Sequence, residues 1–201
     1  MKRIFLDTET SGLRPGQIGQ LSIIILNDPE KEGDTAKIES YNYYFEMDYI
    51  ERGAEEACGR GLDFYREASG GRKFKDDAAE IFNLLKDGTV IAHNIKFDNN
   101  FLSTEFWRLG LTYAPQGVFD TMAYFKDVLK IPGRRTKYKN PKLCEVTNFL
   151  GITEEDIEKE TARLFDSGAV EFHDATFDTA ALYLIYLRES ERRANGKKEE
   201  L

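Results

Sequence analysis

Two carboxylates lie one residue apart where an apolar run ends near the N-terminus. The run Ile4-Phe5-Leu6 predicts a buried strand, and Asp7 and Glu9 follow it. Because side chains alternate along a strand, both carboxylates lie on one face of it. Like charges this close repel, so keeping both ionised requires a cation, and their hard oxygen atoms suit Mg²⁺ or Mn²⁺. The pair predicts a metal site.

Two further aspartates each precede an apolar helical stripe. Asp98 lies three residues before Phe101, and Asp178 lies four residues before Leu182. Residues three or four apart share a helix face, so both carboxylates belong to a buried face, although either alone could simply stabilise the start of a helix. Four such acids carry four negative charges, which two divalent cations would neutralise. Two ions about 4 Å apart are the arrangement that assists phosphodiester displacement.

A histidine is the side chain best suited to take a proton from water near neutral pH. His173 lies five residues before Asp178, an offset that would place the two about 140° apart on a continuous helix. Sharing a site therefore requires His173 to precede the helix, and Gly168 favours a loop there. The alternative is a packed or solvated histidine. His93 fits that alternative better, since it ends an apolar strand and could bond nearby backbone.

The surrounding pattern predicts the elements that position these groups. Strands are expected at residues 4–10, 20–26, 41–47, 89–94 and 118–120. Helices are expected at residues 76–86, 97–109, 121–129, 141–150, 153–165 and 175–193, with loop and short helical pieces at 49–75. Three strands with short connections pair antiparallel, and the later alternation of strands and helices adds parallel strands. The prediction is an α/β fold with a mixed five-stranded sheet covered by helices on both faces.

Composition indicates one soluble globular domain, residues 1–193, with a short charged tail at 194–201. The chain has 201 residues, 41% of them hydrophobic, and a mean hydropathy of −0.52. No apolar run reaches membrane-spanning length and no signal-peptide pattern opens the chain, so we expect a cytoplasmic protein without a membrane partner. Cys58 and Cys144 show neither metal-ligand nor disulfide spacing. No glycine-rich nucleotide loop supports a dinucleotide or P-loop function.

Charge restricts the kinds of nucleic-acid binding that are plausible. The net charge of −8 argues against nonspecific coating of nucleic acid, which needs a broad basic surface. A narrow cleft remains compatible with it. Residues 134–142 contain five basic residues in nine, and this basic segment is either a solvated loop or a contact for phosphates.

Three stretches in order resemble the motifs of the DEDDh exonuclease family. They read Asp-Thr-Glu-Thr-Ser-Gly-Leu at 7–13, Ala-His-Asn-Ile-Lys-Phe-Asp-Asn-Asn-Phe-Leu at 92–102, and His-Asp-Ala-Thr-Phe-Asp-Thr-Ala at 173–180. One Asp-x-Glu alone is a weak signal, whereas three motifs in order are specific together. The family includes the proofreading subunit of bacterial replicative DNA polymerase, RNase T and oligoribonuclease. The resemblance implies a ribonuclease H-like fold.

The resemblance also implies a reaction and its residues. Family members are metal-dependent exonucleases that remove nucleotides from a free 3′ end and release 5′-monophosphates. Asp7, Glu9, Asp98 and Asp178 would bind two divalent cations, Mg²⁺ or Mn²⁺, and His173 would be the general base. The terminal nucleotide would be held by residues of the first two motifs, namely Thr8, Thr10, Leu13, His93, Asn94 and Phe97. Asp120 also occupies a family position, where helix capping is its expected role.

Two departures from the family pattern affect the expected substrate and partners. Residues 152–172 insert an extra charged helix, which we expect to alter the substrate entrance. The chain ends soon after the last helix, so we expect a nuclease that acts alone or binds a polymerase or repair partner through its surface; its oligomeric state stays open. Oligoribonuclease-like members carry Met where this chain has Thr8. That difference slightly favours single-stranded or frayed DNA over RNA, with an exoribonuclease as the alternative.

Two other classes of function were weighed. A phosphatase of the haloacid dehalogenase type also opens with an apolar strand and an acidic motif, but its motif needs a second aspartate where this chain has Glu9. It also gives His173 no role. A nucleic-acid-binding module without catalysis is disfavoured because all five candidate catalytic residues are present.

Overall fold

Five strands form one sheet in the computed structural model, which describes residues 1–29, 35–165 and 174–199, the last four of them by backbone alone. The strands are β1 (Lys2–Thr10), β2 (Ile18–Asn27), β3 (Lys37–Tyr44), β4 (Thr89–Ala92) and β5 (Gly117–Asp120). Their order is β3-β2-β1-β4-β5. β2 pairs antiparallel with β1 and β3, whereas β4 pairs parallel with β1 and β5. The predicted mixed five-stranded sheet is confirmed.

Eight helices cover the sheet in the described residues. They are α1 (Arg52–Cys58), α2 (Leu62–Ser69), α3 (Phe74–Leu85), α4 (Ile95–Arg108), α5 (Thr121–Leu129), α6 (Leu143–Phe149), α7 (Glu154–Phe165) and α8 (Ala175–Glu199). The charged helix expected at 153–165 is confirmed as α7. None of the described helices combines the length and the apolar character needed to cross a lipid bilayer.

The largest differences from the predicted elements have local causes. The short helical pieces expected in the segment 49–75 are α1 and α2, and each ends on a glycine with a left-handed backbone, Gly59 and Gly70. Such glycine caps end short helices whose apolar periodicity is weak. α8 extends six residues past its predicted end at 193. Arg192 and Arg193 both pair with Glu189 one turn earlier, which stabilises this extension.

β3 begins and ends earlier than expected. It covers Lys37–Tyr44, whereas the aromatic alternation predicted a strand at 41–47. Phe45 continues the contact through one hydrogen bond, from its amide to the carbonyl of Gly19 at 2.8 Å. Phe45 and Met47 are nevertheless buried, so the alternation reports burial beyond the end of the paired strand.

β1 is buried on both of its faces, and the helices packed on those faces hold the strand that carries Asp7 and Glu9. Ile4 and Leu6 pack in the core formed with α3 and α4, here called the α4 side of the sheet. Phe5 packs with Leu182 and Tyr183 of α8, here called the α8 side. Because strand side chains alternate, Asp7 and Glu9 emerge with Phe5 on the α8 side, and Thr8 emerges on the α4 side. The predicted common face of the two carboxylates is confirmed.

Candidate functional site

The four predicted acids meet at the end of β1. Asp98 is buried near the start of α4, and Asp178 lies in the first turn of α8. Burial raises the pKa of Asp7 well above its usual value, and the charges of Asp178, Asp98 and Glu9 raise it further. Burial likewise raises the pKa of Glu9 to about 8 and those of Asp98 and Asp178 to about 7. The two faces of the sheet thus deliver four carboxylates to one place.

Only one of these acids has a polar side-chain partner in the described residues. The hydroxyl of Thr8 donates to Oδ1 of Asp98 at 2.8 Å and lowers the pKa of that acid against the effect of burial. Asp7, Glu9 and Asp178 have no hydrogen bond or ion pair with a described side chain. Even Ser22, directly across the strand pair from Asp7, keeps its buried hydroxyl unpaired among the described residues. The carboxylate oxygens are therefore free for another ligand.

The donor set fits divalent cations. Clustered carboxylates in a buried setting are stable as ions only with a counter-charge, and all-oxygen donors suit Mg²⁺ and Mn²⁺. Within the described ranges, no three acidic, histidine or cysteine side chains already stand in metal-binding geometry. Asp7, Glu9, Asp98 and Asp178 are the residues that would hold the ions.

The loop after β1 is closed by its own hydrogen bonds. Ser11 and Gln17 bond twice, through Ser11 N to Gln17 O and Gln17 N to Ser11 Oγ, each at 2.9 Å. Thr10 is buried and its hydroxyl donates to the carbonyl of Gly12 at 3.0 Å. At the loop tip Leu13 is 85% exposed. Leu13 therefore does not pack in the core, and its side chain is available to a ligand.

The second motif lies beside this loop on the α4 side. Phe97 is half-buried and packs its ring against Phe101 at a centroid distance of 4.9 Å. Asn94 has a left-handed backbone, φ 75°, and its amide donates to Oδ1 of Asp120 at 3.1 Å. The same Oδ1 accepts from two amides in the first turn of α5. The predicted capping role of Asp120 is confirmed, and the cap also holds the turn before α4.

His93 joins two segments and leaves neither ring nitrogen unpartnered. Its Nδ1 lies 3.0 Å from Oγ1 of Thr121, and its Nε2 lies 2.9 Å from the carbonyl of Pro141. Burial lowers the pKa of His93, which favours the neutral ring, with Nε2 donating to the carbonyl. The second interpretation of this histidine, bonding to nearby backbone, is confirmed. Its bond to Pro141 ties the second motif to the segment before α6.

An ion pair missed in the sequence holds the start of α8. Asp174 is buried and pairs with Arg60 from the loop between α1 and α2 at 2.8 Å. It also accepts from Nε2 of Gln20 at 2.9 Å and from the amide and hydroxyl of Thr176 at 2.8 and 2.6 Å. The aspartate two residues before Thr176 is a helix-capping signal that the sequence contains. Arg60 lies in a segment of weak periodicity and carries no such signal.

The proposed base, His173, lies outside the described residues, as does the end of the inserted segment, 166–172. Its sequence neighbour Asp174 is held as described above, between the sheet and Arg60.

Comparison with known proteins identifies the family. A family model described as Exonuclease, of the RNase T type, matches residues 4–186. The 3′-5′ exonuclease DinG of Staphylococcus epidermidis is 40% identical over 53 residues, which are 26% of this chain and 6% of that protein. DinG of Staphylococcus aureus strain USA300 is 34% identical over 80 residues, 40% of this chain and 8% of that protein.

Solved structures agree on the fold. Escherichia coli exonuclease I in complex with a dT13 oligonucleotide has a TM-score of 0.67 at 17% identity, covering 98% of this chain and 43% of that one. Exonuclease I from Methylocaldum szegediense has a TM-score of 0.67 at 15% identity, covering 96% and 41%. The chain thus spans under half of these proteins. The expected ribonuclease H-like fold is confirmed, the haloacid dehalogenase alternative is not supported, and the chain belongs to the exonuclease family.

Proposed function

We propose that this protein is a metal-dependent 3′-5′ exonuclease that acts on single-stranded or frayed nucleic acid, with DNA favoured over RNA, and releases nucleoside 5′-monophosphates. The observation that carries the proposal is the convergence of Asp7, Glu9, Asp98 and Asp178, three of them without a described side-chain partner, in a chain of the exonuclease family.

The carboxylates would bind two divalent cations, Mg²⁺ or Mn²⁺. When bound, such ions stabilise the charge that develops on the attacking and leaving oxygens of a phosphodiester. Asp7 and Glu9 are fixed by β1, and Asp98 is oriented by the hydroxyl of Thr8. Because α8 begins at the Asp174 anchor, Asp178 in its first turn is positioned by the same contacts.

His173 is proposed as the general base. Imidazole is the side chain suited to take a proton from water near neutral pH, and His173 would take the proton of the attacking water. The water oxygen then forms the new bond to phosphorus, and the bond to the 3′ oxygen of the preceding nucleotide breaks. That oxygen takes up a proton from solvent, so the products are a 5′-monophosphate and a strand shortened by one nucleotide.

The grip on the terminal nucleotide is proposed on the α4 side. Leu13 presents an exposed apolar side chain, and Phe97 presents a half-buried ring. An apolar wedge and an aromatic face hold any base by stacking, which gives little sequence preference. The hydroxyl of Thr10 bonds the backbone of the loop that carries Leu13. The left-handed backbone of Asn94 forms the turn before Phe97.

The preference for single-stranded DNA draws on relatives. The exonuclease I structures similar to this chain include complexes with dT13 and dA16 oligonucleotides. Thr8, where oligoribonuclease-like members carry Met, also favours DNA over RNA. An RNA-directed 3′-5′ exoribonuclease of the same family is the alternative.

The test uses matched DNA and RNA oligonucleotides carrying either a 5′ or a 3′ label. With Mg²⁺ or Mn²⁺ we expect stepwise shortening from the 3′ end and release of labelled mononucleotide, and with EDTA no product. DNA is expected to be degraded faster than RNA of the same sequence. Internal cuts, or cleavage in EDTA, would contradict the proposal. His173→Ala should lose most of its turnover while its circular dichroism spectrum stays unchanged; an unchanged rate would remove His173 from the reaction.

A further inference from the structure

The proposed function fixes the direction in which a bound strand must leave the site, and the present inference rests on that function. The 3′-terminal nucleotide has no neighbour on its 3′ side. If Leu13 and Phe97 hold it on the α4 side, the remaining strand must pass the carboxylates and continue away from these two residues. The segments next to Asp178 on the α8 side are α6 and the residues that precede it.

The basic segment is built as a hairpin on this side. Residues 131–139, here called the basic hairpin, are closed by a bond from Lys139 N to Ile131 O at 2.9 Å and a bridge between Pro132 and Tyr138. At Gly133 a Cβ atom would lie 2.5 Å from the carbonyl of Thr136, so only glycine fits the turn.

The C-terminal end of the hairpin is anchored to the second motif and to α6. Pro141, two residues after it, accepts from His93 of the second motif at 2.9 Å. Consecutive Cα atoms are about 3.8 Å apart, so Lys139 lies within roughly 8 Å of that anchor. Lys139 also pairs with Glu145 of α6. Both contacts hold the hairpin between the β4 end of the sheet and the start of α6.

The arginines of the hairpin have no ionic partner among the described residues. Ten of the thirteen arginines form an ion pair with an acid in the described part of the chain. The exceptions are Arg14, next to Leu13, and Arg134 and Arg135 in the hairpin. In a protein of net charge −8, Arg134 and Arg135 are thus adjacent, exposed and without an acidic partner in the described ranges. Adjacent exposed cations that repel each other are well suited to bind an anionic polymer.

A cavity lies between Lys142, which follows the hairpin, and Asp178. Its volume is about 440 Å³, and it reaches from Lys142 and Cys144, past Glu154 at the start of α7, to Phe177 and Asp178. Lys142 is exposed at its rim and, like the hairpin arginines, forms no ion pair with a described residue. The cavity is large enough for one nucleotide and lies on the side where the strand must leave.

We propose that the basic hairpin and Lys142 bind the internucleotide phosphates of the substrate strand on the 5′ side of the scissile bond. The ligand is a single-stranded polynucleotide, and the adjoining cavity receives the nucleotide next to the scissile phosphate.

The first test compares a substrate with a strand and one without. The double variant Arg134→Ala/Arg135→Ala is assayed on a 5′-labelled oligo-dT 12-mer and on the p-nitrophenyl ester of thymidine 5′-monophosphate. For the 12-mer we expect kcat/KM to fall about tenfold, mainly through KM. Its log–log salt dependence should become shallower by roughly 1.4, about 0.7 for each lost phosphate contact. The ester, which lacks an upstream strand, should react within twofold of the parent rate.

A matched control removes the same charge elsewhere. Lys75→Ala/Lys86→Ala takes two exposed lysines from α3 and its end, on the α4 side. This variant should match the parent enzyme on both substrates. Equal losses in both double variants, or an equal loss on ester and 12-mer, would overturn the inference. A parent enzyme that hydrolyses neither substrate would overturn the proposed function, and the inference with it.

A second test measures strand binding without turnover. In a Cys58→Ser variant Cys144 is the remaining thiol, and it lines the cavity. In EDTA, the 12-mer should slow alkylation of Cys144 several-fold, and Arg134→Ala/Arg135→Ala should abolish that protection. Poly-glutamate of matched length serves as a competing anion. Protection by poly-glutamate but not by the 12-mer would overturn the inference in favour of an acidic protein partner.

Discussion

At the scale of single residues, the acids of the site oppose folding and serve the proposed reaction. Burial raises the pKa of Asp178 to about 7, and the charge of Asp174 adds to that shift. Ionising Asp178 without a cation therefore costs folding free energy. The same oxygen atoms are proposed cation ligands, so we expect the residue that destabilises the metal-free protein to be required for activity.

Asp178→Asn separates these two effects. The neutral isostere should raise the Tm of the metal-free protein at pH 8 by roughly 2–4 °C, which corresponds to about 1 kcal/mol in a chain of this size. With metal, kcat should fall about a hundredfold or more. Differential scanning calorimetry in EDTA and the oligonucleotide assay measure the two effects. Glu191→Gln, an exposed acid of the same helix, is the control and should change neither. A lower Tm for Asp178→Asn would contradict the prediction.

Thr8 is expected to act through Asp98 rather than through the nucleotide. Its hydroxyl lowers the pKa of Asp98, so Thr8→Val should raise that pKa. The acid limb of the pH–rate profile should then move upward by about one unit, the size of a hydrogen bond to a charged group. Thr8→Ser keeps the hydroxyl and should restore the parent profile. A change in KM alone, with an unmoved profile, would instead assign Thr8 to substrate binding.

At the scale of elements, the short helices between β3 and α3 provide the anchor for α8. Arg60, between α1 and α2, pairs with Asp174 at the start of α8, and its guanidinium also lies over the ring of Phe64 at 4.7 Å. The pair is largely buried, with side-chain exposures of 16% and 5%. The loop with Arg60, whose position the weak periodicity of its segment does not predict, thus holds the start of the helix that carries Asp178.

Arg60→Met tests this anchor. Because Asp174 keeps its bonds from Gln20 and Thr176, the free energy of unfolding should fall by about 2 kcal/mol rather than by the full cost of an isolated buried charge. kcat should fall as well, since α8 positions Asp178. Urea denaturation of Arg60→Met, Asp174→Asn and the double variant forms a double-mutant cycle, and we expect coupling of about 1 kcal/mol or more. Additive effects would contradict the anchor, and Arg66→Met, an exposed arginine of α2, should behave like the parent.

At the scale of the whole molecule, pH and metal should act on stability in opposite directions. The folded-state pKa values of Glu9, about 8, and of Asp98 and Asp178, about 7, all exceed the ordinary carboxyl range near 4. The folded protein therefore holds protons that the unfolded chain releases. Stability from this source is complete below about pH 4 and is lost as pH rises through 7 and 8.

We therefore expect the Tm in EDTA to fall between pH 5.5 and 8.5. Mg²⁺ or Mn²⁺ should raise the Tm, and the increment should grow with pH, because cations bind the ionised carboxylates. Thermal melts across this range with and without metal measure both effects. Asp178→Asn should show a flatter pH dependence in EDTA. A metal increment that is constant with pH would contradict the assignment of these acids to the cation site.

The sequence by itself determined the features that depend only on residues close to one another in the chain. Strand alternation places Asp7 and Glu9 on one face because successive side chains must point opposite ways. Asp120 caps α5 because its short carboxylate reaches amides two and three residues ahead. The mixture of antiparallel and parallel strands followed from connection lengths, and the family followed from three motifs whose residues needed no coordinates to be recognised.

What only the tertiary structure decided are the partners chosen across long sequence separations. Thr8 bonds Asp98, Arg60 pairs with Asp174, and His93 bonds the carbonyl of Pro141. No periodicity or spacing encodes these pairs, because each depends on how helices pack on the two faces of the sheet. The same packing raises the pKa values of the acids, and it places Phe97 on the α4 side of the sheet and the basic hairpin beside α6. Residue types thus indicate the chemistry. Burial and proximity exist only in the folded chain, and they determine the pKa values of the acids and the proposed direction of a bound strand.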